Sequence, residues 1–200
     1  MKKAINLLLV SLAAATLLTA CAEKPDAELG AAKSAVDAVV SEGAEKYIPD
    51  AMQSINRKLE EALTEIKVQD DKTFSNYSAA KLTLSQVKVE AEALKIQVAQ
   101  RKDELKAAAS AALTEAQAVV VEAKALLEVA PQGKGSLADI EAMKSDVVGL
   151  ESELETVTPQ IDAGEYVVAT EKAHAVAARA MTISNDIKMA QEKLAVVIKK

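Results

Sequence analysis

The chain has 200 residues, of which half are apolar, only 2% are aromatic and 40 are alanine. It has no Trp, one Phe, six Gly and four Pro. A β sandwich, a barrel or a doubly wound α/β fold needs more aromatic, β-branched and turn residues than this. Intrinsic disorder is also excluded, because Ala, Leu, Val and Ile supply enough apolar surface to offset the entropy lost on chain ordering. The composition therefore predicts an all-α protein.

The first twenty residues have the organisation of an export signal. Lys2 and Lys3 form a positive region, and the apolar stretch 4–18 follows it. That stretch is too short to span a bilayer, which takes about 20 apolar residues. We predict that residues 1–20 are a signal peptide that is absent from the mature protein.

The signal ends in Leu18-Thr19-Ala20-Cys21, and Cys21 is the only cysteine of the chain. This tetrapeptide resembles the lipobox of bacterial lipoprotein precursors. The resemblance implies that Cys21 carries an S-diacylglyceryl group, that cleavage occurs before it, and that the new amino terminus is N-acylated. Two or three acyl chains, such as palmitate, would anchor the protein firmly. The alternative is an ordinary signal peptide with a cysteine at this position by chance.

The residue after the lipidated cysteine directs sorting in the lipoproteins of enteric bacteria. An Asp there favours retention in the inner membrane. Here the residue is Ala22, so the resemblance implies a location in the outer membrane, facing the periplasm. The inner membrane is the alternative.

The mature chain is acidic and has no disulfide. Removing the signal leaves 22 basic and 30 acidic residues, a net charge of −8. No basic stripe with interleaved aromatic residues is present, which argues against a nucleic-acid partner. The negative charge also argues against binding of anionic lipid by the folded body. We therefore expect membrane contact to be confined to the covalent lipid, and stability to come from packing alone.

Apolar residues recur along the mature chain at alternating spacings of three and four. This spacing places them on one face of a helix and is typical of coiled-coil seams. We call them the seam residues. In chain order they are Leu29, Ala32, Val36 and Val39; Met52, Ile55, Leu59, Ala62 and Ile66; Tyr77, Ala80, Leu84, Val87, Ala91, Leu94 and Val98; Ile140, Met143, Val147, Leu150, Leu154, Val157 and Ile161; and Tyr166, Ala169, Ala173, Val176, Ala180, Ile183, Ile187, Ala190, Leu194 and Val197.

Proline and polar segments separate these runs. Pro49 stands where a helix begins, and its missing N–H does no harm in a first turn. The polar segment 69–73 and the segment 130–135, which contains Pro and Gly, mark further breaks. The pattern predicts five helices, at about 26–46, 49–69, 73–129, 136–161 and 163–199.

Two capping boxes support the last two helix starts. Ser136 with Asp139 has the spacing at which a capping side chain and an acidic side chain satisfy each other's backbone N–H groups. Asp162 with Glu165 repeats this spacing shortly after Pro159, which ends or kinks the fourth helix.

The predicted third helix changes its buried face part of the way along. It has no Gly or Pro, but the charged stretch 101–104 interrupts its seam. The seam then resumes with two successive steps of four, a stutter that rotates the apolar stripe around the helix. The residues of this second seam are Leu105, Ala109, Leu113, Ala116, Val120, Ala123 and Leu127. The helix is therefore predicted to serve two bundles.

An internal repeat supports the same organisation. Tyr77-x-x-Ala80 recurs 89 residues later as Tyr166-x-x-Ala169. We predict a tether at 21–25, then two three-helix units at 26–100 and 101–200 that share one long central helix, as in spectrin-type repeats. The alternative is one compact bundle in which the third helix folds back.

The order of these segments also carries a family resemblance. Small-residue heptads are followed by Tyr47-Ile48-Pro49, a Leu-rich helix and a polar turn that leads into Tyr-x-x-Ala, with Gly164-Glu165 before the second copy. This order is similar to a family of alanine-rich helical bacterial lipoproteins of uncharacterised function. The resemblance implies a helical periplasmic domain, sometimes found with peptidoglycan-binding modules and so near peptidoglycan. It implies no catalytic residues.

Candidate chemistry is sparse. His174 is the only histidine, and without a second cysteine or histidine it cannot build an ordinary zinc site. The carboxylate pairs Glu60-Glu61 and Glu151 with Glu155 are expected on solvated faces, where nothing raises a pKa. No phosphate loop, nucleophile elbow or Ser/His/Asp set is present. We expect no catalytic residues, no metal and no cofactor.

These observations predict a non-enzymatic lipoprotein that acts as a spacer, scaffold or adaptor for an envelope protein partner. Tyr77 and Tyr166 are interpreted as core residues rather than as a binding motif. The alternative is a periplasmic binding or chaperone module that holds an apolar ligand or client between its helices; an enzyme ranks third. The exposure of the seam residues distinguishes the structural role from the binding or chaperone role. An open apolar groove favours binding, and a filled seam favours the structural role.

Overall fold

The computed structural model describes residues 23–130 and 137–198, and side chains up to residue 193. Over these residues the chain is all-α, as the composition predicts, and contains no strand. The signal peptide, Cys21 and the predicted cap Ser136 lie outside the described residues. The helices are α1 (Asp26–Ser41), α2 (Ala44–Tyr47), α3 (Pro49–Asp70), α4 (Ser78–Glu128), α5 (Leu137–Glu155), α6 (Val157–Asp162) and α7 (Tyr166–Ile198).

The chain divides into two compact units. Unit 1 ends at Arg101 and unit 2 begins at Lys102, so the division falls inside the charged stretch 101–104. Unit 1 contains α1, α2, α3 and the first part of α4. The remainder of α4, with α5, α6 and α7, belongs to unit 2. Buried apolar residues form two core clusters, one within each unit.

The core of unit 1 consists of the predicted seam residues. All seven seam positions from Tyr77 to Val98 are buried, and so are those of α3 except Leu59, which is half-buried. In α1, Leu29 is half-buried and the other three positions are buried. Small residues at several of these positions, such as Ala32, Ala80 and Ala91, let the helix backbones pack closely. The heptad pattern therefore identified the interior of this unit correctly.

The core of unit 2 follows the same pattern with one exception. The second seam of α4 and the seams of α5, α6 and α7 are buried or half-buried as far as Ile187. Ala190, predicted as the next seam position, is exposed. Leu194 and Val197 lie outside the described side chains. Among the side chains that the structure describes, Ile187 is therefore the last buried seam residue of α7, and the prediction for Ala190 is wrong.

A left-handed glycine interrupts the predicted first helix, 26–46. Gly43 adopts a φ of 86°, which glycine reaches without steric cost and which ends a helix. A Cβ at this position would lie 3.2 Å from the ring of Tyr47. The single turn α2 then places Ala44 in the core of unit 1, and Pro49 is the first residue of α3, as predicted.

The predicted fourth helix, 136–161, is also divided. It breaks at Thr156, between α5 and α6. Pro159 explains the break, because it has no N–H to donate to the carbonyl of Glu155 and its ring crowds that carbonyl. In the first turn of α6 the missing N–H is tolerated. The two segments keep the seam continuous through the break, since Val157 is fully buried.

The predicted capping box of Asp162 with Glu165 is wrong. Asp162 is the last residue of α6, and Glu165 stands before the first residue of α7. Gly164 follows with a φ of 75°, and the N–H of Glu165 donates to the carbonyl of Gln160 at 2.8 Å. This six-residue closure is the Schellman arrangement of a helix C-terminus. The segment therefore ends one helix before it begins the next.

Candidate functional site

The predicted lipidation site, Cys21, precedes the first described residue, Glu23. The chain packs on unit 1 immediately after that residue. Lys24 forms an ion pair with Asp70, with 2.7 Å between Nζ and Oδ2, and Pro25 is fully buried. Two of the five residues that we predicted as a tether, 21–25, therefore pack against the folded unit.

Asp70 connects the start of the chain to the turn between α3 and α4. We call residues 69–78, which include this turn, the α3–α4 corner. The Tyr77 hydroxyl donates to Asp70 Oδ1 at 2.6 Å, while Lys24 donates to Oδ2. The hydrogen bond from Lys24, and then that from Tyr77, lower the pKa of the Asp70 carboxyl. Asp70 in turn raises the pKa of Lys24.

Hydrogen bonds organise the rest of the corner around Gln69, which is buried, at 7% exposed. Its Nε2 donates to Glu65 Oε1 at 2.7 Å, and its Oε1 accepts the N–H of Asn76 at 3.0 Å. The Ser75 hydroxyl donates to the Gln69 carbonyl at 2.9 Å. Asn76 Oδ1 then accepts the N–H of Ser78 at 3.0 Å, which caps α4. The third helix therefore starts at Ser78 instead of the predicted position 73.

Phe74 is the only phenylalanine of the chain and lies on this corner. Its side chain is 91% exposed, the highest value among the exposed large apolar residues of the described chain. From its sequence, the segment 69–73 is predicted only as a break between helices. The isolated aromatic residue beside a polar turn is the signal that could have marked the corner.

An acid titration tests the Asp70 network. The pKa of Asp70 lies below its ordinary value of 3.8 in the folded protein, so the ionised carboxylate stabilises the fold above that pH and this contribution is lost as the pH falls further. We expect Asp70→Asn to lower the urea midpoint of unit 1 at pH 7 and to have a smaller effect at pH 3.

Asp37→Asn is the matched control for this titration, because Asp37 is exposed on α1 of the same unit. We expect its urea midpoint to follow that of the unmodified protein at both pH values. A deficit for Asp70→Asn that is equally large at pH 3 and pH 7 would contradict a role for the ionised carboxylate.

The single histidine and the two seam tyrosines are not brought together. His174 is exposed on α7. Tyr77 is 5% exposed in the core of unit 1, and Tyr166 is half-buried against the core of unit 2. Both tyrosines therefore pack as core residues, as interpreted from the heptads. Within 23–130 and 137–198, no three His, Cys, Asp or Glu residues are grouped so as to hold a metal ion.

The carboxylate pairs lie on the surface. Glu60 and Glu61 are exposed on α3. Glu151 is half-buried and accepts a hydrogen bond from Lys124 at 2.7 Å, which raises the pKa of that lysine. Glu155 is exposed one turn further along α5. These groups act as surface charges, and Glu151 joins α5 to α4 within unit 2.

Unit 2 carries open grooves on its surface. One groove, of about 360 Å³, is lined by residues of α4, α5 and α6 that include Val121, Leu154 and Thr158. A second groove, of about 240 Å³, is lined by residues of α4 and α5 that include Val148. Their floors are the outer sides of buried seam residues. The grooves are therefore furrows between packed helices and do not enter the core.

An apolar stripe runs along the outside of α4 in unit 1. Leu82, Val89 and Ile96 are 62%, 62% and 64% exposed, and seven residues separate each from the next. This spacing places them on one face of the helix, away from the seam. Each directly follows a lysine in the sequence. We call these three residues the outer stripe.

In the part of the chain that the structure describes, no helix combines the length and apolar character that crossing a membrane requires. No protein-family model matches the chain, and neither curated proteins nor solved structures gave a significant match.

Proposed function

We propose that this protein is a periplasmic lipoprotein, anchored in the outer membrane through acyl chains on Cys21, whose helical body is a non-enzymatic spacer, scaffold or adaptor. The lipobox resemblance at the end of the signal peptide supports the anchor. Because the chain packs on unit 1 from Lys24 onwards, the body would be held close to the membrane by its amino-terminal end.

The filled interior of both units carries the structural part of this proposal. Leu84 and Val87 in unit 1, and Leu150 and Val176 in unit 2, are completely buried. A binding or chaperone module needs apolar surface that is open to a ligand or client. Here the seam residues cover one another, so the described interior favours the structural role over the binding alternative.

The outer stripe supports an adaptor role and indicates the chemistry of a partner. Three large apolar side chains at heptad spacing can pack against the apolar face of one further helix. Of the lysines that precede them, Lys81 pairs with Glu28 and Lys88 with Glu92 of the same unit. Lys95, the third, favours an acidic residue beside that face of the partner. We infer that the partner is an envelope protein with an acidic amphipathic helix.

Photo-crosslinking in intact cells tests the adaptor role. With a photoreactive amino acid in place of Val89, at the centre of the outer stripe, we expect one discrete adduct. Mass spectrometry should identify the attached protein as one that contains an acidic amphipathic helix.

The matched control for crosslinking is position Gln97, which is exposed on the same helix but rotated by about 80° from Val89 around the helix axis. We expect little adduct there. The absence of an adduct at Val89, or equal adducts at the two positions, would contradict the adaptor role.

A further inference from the structure

We propose that Phe74 contacts the lipid surface in which Cys21 is anchored, so that the α3–α4 corner is a second membrane contact of this protein. The inference rests on the proposed function, because it takes the acyl chains on Cys21 as the first contact. It departs from the expectation that membrane contact is confined to the covalent lipid.

The distance between the anchor and the corner is limited by covalent geometry. Lys24 follows Cys21 by three residue steps, and a fully extended chain spans about 3.3–3.6 Å per step, so their Cα atoms lie at most about 11 Å apart. Lys24 in turn is held 2.7 Å from Asp70 of the corner, and the neighbouring Pro25 is buried in unit 1. The corner therefore stays near the lipid surface as long as Lys24 remains paired.

Phe74 is placed on this corner by the same hydrogen-bond network. It follows Asp70 by four residues and precedes Tyr77 by three, and both of these residues belong to the network. Its ring, 91% exposed, is available to a lipid headgroup layer, where aromatic side chains of peripheral proteins insert. Asp71 and Lys72, in the turn before it, carry opposite charges, and Asp70 is paired with Lys24. These four groups therefore have no net charge that would repel an anionic surface.

Ile96, another exposed apolar residue of unit 1, lacks this placement. It is 64% exposed, but it lies eighteen residues beyond Ser78 along α4, which is about 27 Å at the rise of an α-helix. Val68 and Leu82, beside the corner, are 45% and 62% exposed, so Phe74 is the most exposed of the three. Ile96 is therefore the matched control for Phe74.

Tryptophan fluorescence tests the contact directly. The chain has no Trp and a single cysteine, so Phe74→Trp and Ile96→Trp each introduce a unique fluorophore. The mature chain, starting at Cys21, is coupled through its thiol to a maleimide lipid. The vesicles contain phosphatidylglycerol and phosphatidylcholine with brominated acyl chains. We expect the Phe74→Trp protein to lose most of its emission on coupling, and the Ile96→Trp protein to keep its emission.

Each other outcome overturns the inference. If both variants keep their emission, the corner does not touch lipid. If both are quenched, the body lies along the surface and the corner is not a specific contact. Thiol coupling replaces natural acylation in this experiment, so its result is separate from the proposed function, which is tested by the acyl mass on the protein from cells.

The affinity for vesicles of a protein that carries only one acyl chain gives a second measurement of the Phe74 contact. One acyl chain binds membranes only marginally, so the loss of one aromatic contact is detectable. With a single-chain lipid on Cys21, we expect Phe74→Ser to weaken vesicle binding about tenfold, and Ile96→Ser to leave it unchanged. Because Phe74 is exposed, helicity should be unaffected. Equal binding by both variants would overturn the contact.

Discussion

Replacing Leu154 by Asp is expected to unfold unit 2 and to leave unit 1 folded. Leu154 is 7% exposed and belongs to the core cluster of unit 2. A carboxylate there loses its hydration without gaining a partner, and the apolar contacts of leucine are lost as well. The combined cost is about 4 kcal/mol or more, a large fraction of the 5–15 kcal/mol that stabilises a typical domain.

Hydrogen exchange followed by mass spectrometry measures this effect segment by segment. We expect the amides of α5, α6 and α7 to lose protection, and those of α1 and α3 to keep it. Val148→Asp is the matched control, since Val148 is on the same helix but 63% exposed, and its effect should stay within about 0.5 kcal/mol. Loss of protection in both units together would show that they fold as one.

Replacing Cys21 by Ser is expected to abolish acylation and to release the protein from membranes. The diacylglyceryl group is attached through the sulfur of Cys21 in the lipoproteins that this signal resembles, and the serine hydroxyl does not replace that thiolate chemistry. In the part of the chain that the structure describes, no helix is both long and apolar enough to hold the protein in the bilayer instead. Mass spectrometry of the mature protein and fractionation of the two membranes measure the two effects.

Ala22→Asp is the control for this experiment, because it changes the residue after the cysteine and keeps the acylated sulfur. By the lipoprotein sorting pattern, this variant should stay acylated and move to the inner membrane. If Cys21→Ser protein still fractionates with the outer membrane, the proposed anchor loses its main support.

The heptad pattern predicts the interior well because burial in a helical bundle depends mainly on local spacing. From Tyr77 to Val98 every predicted seam position is buried. After the stutter, the second seam begins at Leu105, which is half-buried, and continues at Ala109, which is buried. A helix turns by a constant angle per residue, so a repeat of three and four determines one face without knowledge of its neighbours.

The differences between the predicted and observed helices are at helix ends, where the backbone conformation of a single residue determines the boundary. Gly43 interrupts the first predicted helix because it adopts a positive φ. The neighbouring residues in the sequence do not indicate this conformation. Pro159 was expected to end or kink its helix, and the structure confirms a break, which falls three residues earlier, at Thr156, so that Pro159 lies in the first turn of α6. A proline indicates that a helix breaks within a few residues. The exact position of the break depends on packing, and here Val157, the first residue after the break, is buried in the core.

The sequence by itself determined the all-α class, the buried face of each long helix and the candidate acylation site, because composition, helical period and a short motif are local properties. Only the tertiary structure brought Lys24, Asp70 and Tyr77 together and left Phe74 exposed beside them. These residues are up to about fifty positions apart, and no periodic pattern links them. Their contact depends on how α1, α3 and α4 pack, which is a property of the folded unit.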